Sequence, residues 1–325
     1  MKTAEAISKV NQLSQARTPF LVVIDFEMEK IKVHPLHDLP ASIQYEINLE
    51  GHSKPTDCKE DNQLLSIDPQ PFDQYYSQFD KVRDELLYGN SFLLNLTARH
   101  LVYTELSLDD IYCAAQAKYK LHYKYEGENF VVFSPETFVR INKGLISSYP
   151  MKGTIDAQLP DARKILLSDK KEIAEHNTIV DLIRNDLSIN AKEVTVTKFK
   201  YLDHIKTAQK NLYQMSSEIT GRLPEDYLDR LGDILFSMLP AGSISGAPKK
   251  KTVEIIQETE SGHRGYYTGV CGIFDGQFFE SFVMIRYIEQ VGNNKYYRSG
   301  GGITFMSEVE KEYQEMLDKI YIPQG

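Results

Sequence analysis

The segment Pro150-Met151-Lys152-Gly153-Thr154 marks the change from strands to helices in this sequence. It lies where a run rich in strand formers, residues 129–148, gives way to a long helical pattern. The proline fixes the direction in which the chain enters, and the glycine lets a second backbone or a ligand approach closely. A single lysine is usually a solvated charge, so a functional interpretation of Lys152 depends on what the rest of the chain places around it.

The composition is that of an ordinary globular protein. The chain has 325 residues, of which 42% are hydrophobic and 26% charged, close to the average for such proteins. The net charge of −9, from 37 basic and 46 acidic residues, disfavours nucleic acid, whose phosphates repel an acidic protein. No run approaches the roughly 20 apolar residues that span a bilayer. We therefore expect neither a nucleic-acid partner nor a membrane partner.

The cysteines predict a reducing compartment. Cys58, Cys113 and Cys271 are odd in number, far apart and in no CxxC pair. This arrangement argues against a disulfide framework and against a structural zinc site. We expect a cytoplasmic protein.

Periodicity and turn residues predict a single α+β domain over residues 1–325, with much antiparallel sheet and helices lying outside it. Asp275-Gly276 and residues 292–294 have the composition of hairpin turns, which join antiparallel strands. One strand is predicted over 277–289. The longest helical pattern covers 169–187, and a closing helix covers 307–321.

Carboxylates recur at helical spacing on these two helices. Glu172 and Glu175 share one face of the first, and Glu312, Glu315 and Lys319 form a narrow stripe on the second. Acidic stripes usually face solvent, but a stripe that borders the apolar face can line a cleft. Two such pairs would form an all-oxygen site of the kind that suits Mg²⁺.

Three other places are candidates for chemistry. Glu136 follows an apolar strand and a proline, although a carboxylate at a strand end is usually solvated. Gly300-Gly301-Gly302, after a predicted strand, is either a flexible turn or a place where backbone N–H groups converge on an anion. Arg286 ends an apolar strand and is either a bidentate carboxylate clamp or part of a rim ion pair. Together these residues indicate a small anionic substrate, a divalent cation and an amine nucleophile.

Several segments, in this order, resemble the chorismate-utilising enzymes, which include component I of aminodeoxychorismate synthase, component I of anthranilate synthase, and the isochorismate and salicylate synthases. The matching segments are PMKGT (150–154), EIAEHNTIVDLIRNDL (172–187), PAGSISGAPK (240–249), RGYYTGVCG (264–272), GGGI (300–303) and EYQEMLDK (312–319). Weaker matches reach back to FSPE (133–136) and GNSFLLNLT (89–97). The resemblance implies large antiparallel, sandwich-like sheets with helices packed outside. Residues 89–325 form the family core, and residues 1–88 are the least typical part.

The resemblance also implies roles for individual residues. Glu175 and Glu315 would bind the Mg²⁺ that holds the ring carboxylate of chorismate, with Glu172 and Glu312 beside them. Glu136 would be the general acid that protonates the departing C4 hydroxyl. The substrate would be lined by Gly153, Thr154, Tyr267, Arg286, Gly301, Gly302 and Lys319.

Two positions separate the reactions within the family. Relatives that add water carry a lysine base in the segment similar to GNSFLLNLT, where Leu93 stands here, and anthranilate synthases carry alanine in place of Lys152. The resemblance thus implies a Mg²⁺-dependent aminodeoxychorismate synthase component I, a transferase whose lysine nucleophile acts on chorismate. A lysine amine is a nucleophile only when neutral, which desolvation or a nearby cation favours. Anthranilate synthase component I is the alternative, and a non-catalytic binding protein on this scaffold would have lost the nucleophile or the carboxylates.

The resemblance finally implies partners and a pathway. Ammonia would come from a separate glutamine amidotransferase subunit, and the product, 4-amino-4-deoxychorismate, would serve p-aminobenzoate and folate synthesis. The N-terminal part is shorter than in the larger relatives, so we expect no tryptophan binding. Gln214 stands where many relatives have a histidine, so no acid–base role is expected at that position.

Overall fold

The computed structural model describes residues 1–47, 50–52, 66–206 and 211–323. Strands account for most of the ordered elements in these ranges. They are β1 Phe20–Ile24, β2 Ile31–Pro35, β3 Ile43–Ile47, β4 Glu50–His52, β5 Ser66–Asp68, β6 Leu93–Tyr103, β7 Tyr119–Tyr125, β8 Glu128–Ser134, β9 Thr137–Asn142, β10 Leu145–Ser148, β11 Met151–Asp156, β12 Lys192–Lys206, β13 Asn211–Arg222, β14 Gly246–Ala247, β15 Val270–Phe274, β16 Phe278–Val283, β17 Tyr287–Val291 and β18 Asn294–Ile303.

The helices are mostly short, and the three longest begin at Thr3, Phe72 and Lys170. They are α1 Thr3–Gln15, α2 Phe72–Leu87, α3 Leu108–Ala114, α4 Ala162–Leu166, α5 Lys170–Ser188, α6 Leu231–Ser237, α7 Gly242–Ser245, α8 Lys249–Thr259 and α9 Val309–Asp318. Among the described residues, no helix combines the length and the apolar composition needed to cross a membrane.

The strands form two antiparallel sheets. Sheet A runs in the order β11-β13-β10-β9-β16-β15-β1-β2, with β12 also paired to β13. Sheet B runs β14-β6-β18-β17-β8-β7-β3-β4, with β5 also paired to β6. The prediction of an α+β fold with large antiparallel sheets and helices outside them is confirmed.

Strand β1 shows how the layers are packed. All five residues of Phe20–Ile24 are buried, and successive side chains point to opposite faces of a strand. Leu21 and Val23 belong to a core that also contains residues of sheet B. The other three residues pack into a second core together with residues of α1 and α6. Because both faces of sheet A are covered, the strand appears in the sequence as an uninterrupted apolar run.

The segment predicted as one strand, 277–289, is two strands in different sheets. Strand β16 ends at Val283 in sheet A, and β17 begins at Tyr287 in sheet B. Between them Arg286 has φ +55°, a left-handed conformation that is uncommon outside glycine. Its carbonyl accepts a hydrogen bond from the Phe133 N–H at 3.0 Å. The passage of the chain from sheet A to sheet B was not visible in the sequence. The residues on both sides of it are buried, so the apolar pattern continues without a break.

Strand β11, Met151–Asp156, covers most of the segment 150–154, which the sequence analysis did not predict as a strand. Strands β10 and β11 follow one another along the same edge of β13, and the Pro150 carbonyl between them accepts a hydrogen bond from the Ser217 N–H at 3.0 Å. The register shifts between Met151 and Thr154, so residues 152 and 153 oppose a single residue, as in a β-bulge. Gly153 adopts φ +80° there, which glycine does without steric cost.

Gly300, Gly301 and Gly302 lie within β18 and not in a turn after it. They pair with Thr97, Leu96 and Asn95 of the neighbouring strand β6. Successive N–H groups of a strand point to opposite sides, so three of them cannot converge on an anion. Both sequence interpretations of this segment, the flexible turn and the anion-binding turn, are therefore wrong.

The cysteines differ in state. Cys113 is disulfide-bonded, Cys271 is free and buried, and Cys58 lies outside the described residues. The expectation that the cysteines form no disulfide is therefore wrong for Cys113. Separation along the chain was a poor guide because it does not limit distance in the folded protein.

Arg264 ties together segments that border the candidate site described below. Its side chain is 1% exposed and its guanidinium donates to both carboxylate oxygens of Glu260, at 2.8 and 2.6 Å. It also donates to the carbonyl of Asn95 in β6 at 2.6 Å and to that of Ile244 in α7 at 2.9 Å. The guanidinium carbon lies 4.5 Å from the ring centroid of Phe26. A buried charge is tolerated when its donors are satisfied in this way.

Replacing Arg264 should destabilise the fold strongly. Arg264→Met leaves the Glu260 carboxylate buried without its partner, and we expect the free energy of unfolding to fall by about 3–5 kcal/mol. Urea denaturation measures this loss. The control is Arg184→Met, which removes an exposed pair with Asp181 and should change the free energy by less than about 0.5 kcal/mol. A loss as small as that of the control would contradict the anchoring role.

Candidate active site

Lys152 and Glu175 lie together over a glycine of sheet B. A Cβ atom added to Gly302 would be 3.4 Å from Nζ of Lys152 and 3.2 Å from Oε2 of Glu175. The same atom would be 3.1 Å from Cδ1 of Leu93. Side chains from β11, α5 and β6 thus meet above one position of β18, where a Cβ atom would be unusually close to Leu93 and Glu175. The structure therefore brings the predicted nucleophile next to a predicted metal ligand.

Three charged side chains from the C-terminal end of the chain lie around the neighbouring glycine, Gly301. A Cβ atom on Gly301 would be 3.7 Å from Oε2 of Glu312, 3.7 Å from Nζ of Lys319 and 3.8 Å from Oε1 of Glu315. Lys319 donates to Oε1 of Glu315 at 2.8 Å and to the Gly300 carbonyl at 3.0 Å. Charged side chains from α5 and from α9 with its C-terminal cap thus lie around two adjacent glycines of β18.

Lys171 joins the two helices and was missed in the sequence analysis. Its ammonium is 2.6 Å from Oε1 of Glu312 and 3.6 Å from Oε1 of Glu175. The nearby charges of these carboxylates raise the pKa of Lys171 against the opposing effect of burial. The signal was present in the sequence, because Lys171 and Glu175 are four residues apart and such pairs face each other on a helix.

Within the described part of the chain, two buried carboxylate oxygens of this site have no hydrogen-bond partner. They are Oε1 of Glu175 and Oε2 of Glu312, on residues that are 5% and 2% exposed. Buried oxygens normally find a partner, and hard carboxylate oxygens are what Mg²⁺ binds, commonly one or two of them together with waters. Among the described residues, no three acidic, histidine or cysteine side chains converge closely enough to form a metal site by themselves. The donor set thus fits an ion that keeps part of its hydration.

The other two predicted acidic residues differ in their surroundings. Oε2 of Glu172 would be 3.0 Å from a Cβ atom on Gly153, and burial raises the pKa of Glu172. Glu315 is 46% exposed, and despite partial burial the charges of Lys319, Lys171 and Lys152 hold its pKa below the usual range. Glu312, and not Glu315, therefore offers the buried free oxygen on α9.

Burial sets the proton affinity of Glu175. Removal from water raises the pKa of its carboxyl to about 7, and the charges of Lys152 and Lys171 only partly oppose this rise. Burial disfavours the charged form of an acid. Glu175 therefore takes up a proton near neutral pH when no metal is bound.

Glu136 is held by a serine that the sequence analysis did not single out. The Ser243 hydroxyl donates to Oε1 of Glu136. Burial raises the pKa of Glu136, against the effects of this hydrogen bond and of the charges on Lys152 and Arg286. A carboxyl that keeps its proton longer than usual suits a general acid. Ser243 lies in the matched segment PAGSISGAPK, which was the only signal for it.

The predicted substrate-lining residues are not equally enclosed. Tyr267 is 4% exposed, and Arg286 contacts the Tyr321 hydroxyl with its Nε at 3.4 Å. Thr154 is exposed on β11, where it pairs with Gln214. Tyr267 is thus enclosed, Arg286 is half-buried and Thr154 is open to solvent.

His176 fastens the helix that carries Glu175 to the sheet that carries Lys152. Its Nε2 is 2.7 Å from the Ser217 hydroxyl oxygen, which also accepts from the Lys200 N–H at 3.0 Å. Burial lowers the pKa of His176 to about 4, so the ring that bonds Ser217 is neutral. Ser217 donates its own N–H to the Pro150 carbonyl, which completes the link.

Comparison with known proteins places this geometry in context. Residues 11–324 match the family model described as chorismate binding enzyme. A Haemophilus influenzae protein named "Uncharacterized PabA-like protein" is 48% identical over 321 residues, which are 98% of this chain and 96% of that protein. Aminodeoxychorismate synthase component 1 of Escherichia coli is 31% identical over 265 residues, 76% of this chain and 56% of that protein. The crystal structure of anthranilate synthase component I from Streptococcus pneumoniae has a TM-score of 0.67 and 27% identity, covering 79% of this chain and 58% of that chain.

The proton affinity of Glu175 predicts a pH-dependent effect of neutralising it. In a chelator-containing buffer, Glu175→Gln should match the wild type in thermal stability at pH 5 and exceed it at pH 8. The reason is that a buried carboxyl with a pKa raised from 4.5 to about 7 loses stability as pH rises through that interval. Unfolding temperatures at both pH values measure the effect. The exposed control Glu225→Gln should show no such difference, and a less stable Glu175→Gln at pH 8 would contradict the assignment.

Proposed function

Because the chain belongs to the family of chorismate binding enzymes, we propose that it is an aminodeoxychorismate synthase component I. The reaction would convert chorismate and ammonia to 4-amino-4-deoxychorismate and water. The observation that carries the proposal is the position of Lys152, whose amine lies over Gly302 beside the buried Glu175. An amine nucleophile and a carboxylate site thus face the same space.

Leu93 supports amination over hydration. Its side chain is 2% exposed and borders the position above Gly302 that Lys152 also approaches. Activation of a water molecule needs a base within hydrogen-bond reach, and an aliphatic side chain cannot act as one. By the family resemblance, relatives that add water carry a lysine base at this place, so the leucine found here argues against hydration.

In the first proposed step, Lys152 adds through its neutral amine to C2 of the chorismate ring. The two ring double bonds move to C1–C6 and C4–C5, the C4–O bond breaks, and Glu136 gives its proton to the departing hydroxyl, which leaves as water. Lys152 is then bound to C2 as a cationic secondary amine. The raised pKa of Glu136 supports its role as the proton donor in this step.

In the second step, ammonia attacks C4 and the double bonds return. Lys152 leaves C2 as a neutral amine, and the Glu136 carboxylate takes the proton that the new ammonium group releases. Both residues thereby regain their starting states. Mg²⁺, which Glu175 and Glu312 would hold with Glu172 and Glu315 nearby, would supply positive charge to neutralise the ring carboxylate. Arg286 and Lys319 would provide further cationic contacts for this diacid.

The source of ammonia is part of the proposal. A separate glutamine amidotransferase subunit would deliver it, and the product would enter p-aminobenzoate and folate synthesis in the cytoplasm. Free ammonium would replace the subunit at high concentration, because the steps above need only ammonia.

Replacing Lys152 should abolish the amination. With chorismate, Mg²⁺ and ammonium, Lys152→Ala should form product at least about a hundredfold more slowly than the wild type, because the covalent route is lost. Product mass and rate are measured by mass spectrometry, and intact-protein mass of the wild type should reveal a ring adduct on Lys152. The exposed control Lys81→Ala should retain full activity.

Each alternative has its own outcome in that experiment. Full activity of Lys152→Ala would refute the covalent step. Anthranilate and pyruvate as products would identify the alternative, an anthranilate synthase component I. No turnover by the wild type with ammonium would leave a binding protein.

Replacing Ser243 should change both the pKa of Glu136 and the turnover number. Ser243→Ala removes a hydrogen bond that favours the ionised form of Glu136, so the pKa of Glu136 should rise and the alkaline limb of the pH–rate profile should move up by about one unit. The turnover number should fall about tenfold because the carboxyl loses its orientation. The measurement is kcat across pH with ammonium, and Ser243→Thr, which keeps the hydroxyl, should restore both properties. An unshifted profile in Ser243→Ala would contradict the role.

A further inference from the structure

Lys171 occupies the space between the two carboxylates that have free buried oxygens. It belongs to the first turn of α5, and its ammonium lies 2.6 Å from Oε1 of Glu312 on α9 and 3.6 Å from Oε1 of Glu175. Its side chain remains 27% exposed, so the stem leads from solvent into the cluster. A lysine can bury its charged end in this way and still withdraw it along the same path.

The other two lysines of the site already lie beside carboxylates other than Glu312. Lys319 is engaged with Glu315 at 2.8 Å, and Lys152 lies at the Gly302 position on the other side of Glu175. Lys171 is therefore the cation that balances Glu312. Burying a carboxylate without a counter-charge is costly, so this pair keeps α5 and α9 together in the metal-free protein.

A metal ion shared by Glu175 and Glu312 has to lie beside the same ammonium, since Nζ is already within 3.6 Å of both carboxylates. Two cations at such separation in a partly buried site repel each other strongly. The divalent ion brings the larger charge and the better geometry for two carboxylate oxygens. The ammonium is the group with a route to solvent.

From this geometry we infer that Lys171 is a built-in substitute for the metal, which holds the empty carboxylate site together and is displaced when Mg²⁺ binds. The inference rests on the proposed function in taking Glu175 and Glu312 as metal ligands. Displacement lowers the affinity for Mg²⁺ below what the carboxylates alone would provide. In return, the ion pair between Lys171 and Glu312 keeps α5 and α9 together when no metal is bound.

The test is calorimetric titration of the full chain with Mg²⁺ alone, without chorismate. Lys171→Met should bind Mg²⁺ about tenfold more tightly than the wild type, a difference of about 1.4 kcal/mol. Its unfolding temperature without metal should be lower, and the increase on adding Mg²⁺ should be larger. Lys170→Met removes the same charge from the adjacent, exposed position and should behave as the wild type in both measurements.

A second variant separates the loss of the charge from the loss of the lysine side chain. Lys171→Arg retains the cation and should bind Mg²⁺ no more tightly than the wild type. Equal or weaker binding by folded Lys171→Met, with Lys171→Arg like the wild type, would overturn displacement and show that Lys171 only orients Glu312. Absence of Mg²⁺ binding in every variant would also overturn the inference.

These outcomes are distinguishable from failure of the proposed function. Metal binding is measured without substrate, so an unexpected product or an active Lys152→Ala enzyme would refute the chemistry and leave the Lys171 result standing. Conversely, a confirmed Lys152 adduct combined with unchanged metal affinity in Lys171→Met would refute only the displacement.

Discussion

The burial of two carboxylates beside the glycines of β18 is the constraint on which this site depends. Glu175 and Glu312 are almost fully enclosed. A Cβ atom at Gly302 would crowd Glu175, whereas Glu312 lies at an ordinary contact distance from the Gly301 position. Buried acids need counter-charges, and this need accounts for the lysines from β11, α5 and α9 that surround them. The amine chemistry and the metal chemistry proposed for the protein therefore share one electrostatic origin.

The part of the site carried by helices could be predicted from the sequence. The three- and four-residue spacings on α5 and α9 determine which side chains share a face, whatever the surrounding fold. Hairpin residues likewise indicated antiparallel pairing, and the apolar periodicity indicated helices outside the sheets. These signals are local, so they survive without knowledge of the tertiary structure.

The part that depends on the meeting of distant segments could not be predicted in the same way. Nothing local shows that Gly300–Gly302 is a strand, because it pairs with β6, which lies far earlier in the chain. The change of sheet at Arg286 is hidden by burial on both sides of it, and Ser243 becomes relevant only when α7 is placed beside Glu136. Lys171 is the exception, because its four-residue spacing from Glu175 already indicates in the sequence that the two side chains face each other.

The bulge in β11 has a consequence for how this scaffold accommodates different chemistry. Residues 152 and 153 share one partner on β13, so the side chain at position 152 projects from a place where the ladder is already irregular. Exchanging that side chain need not disturb the regular pairing on either side, nor the link through His176 and Ser217 that holds the strand to its helix. The residues that would hold substrate and metal can therefore stay the same while the reactive side chain at position 152 changes.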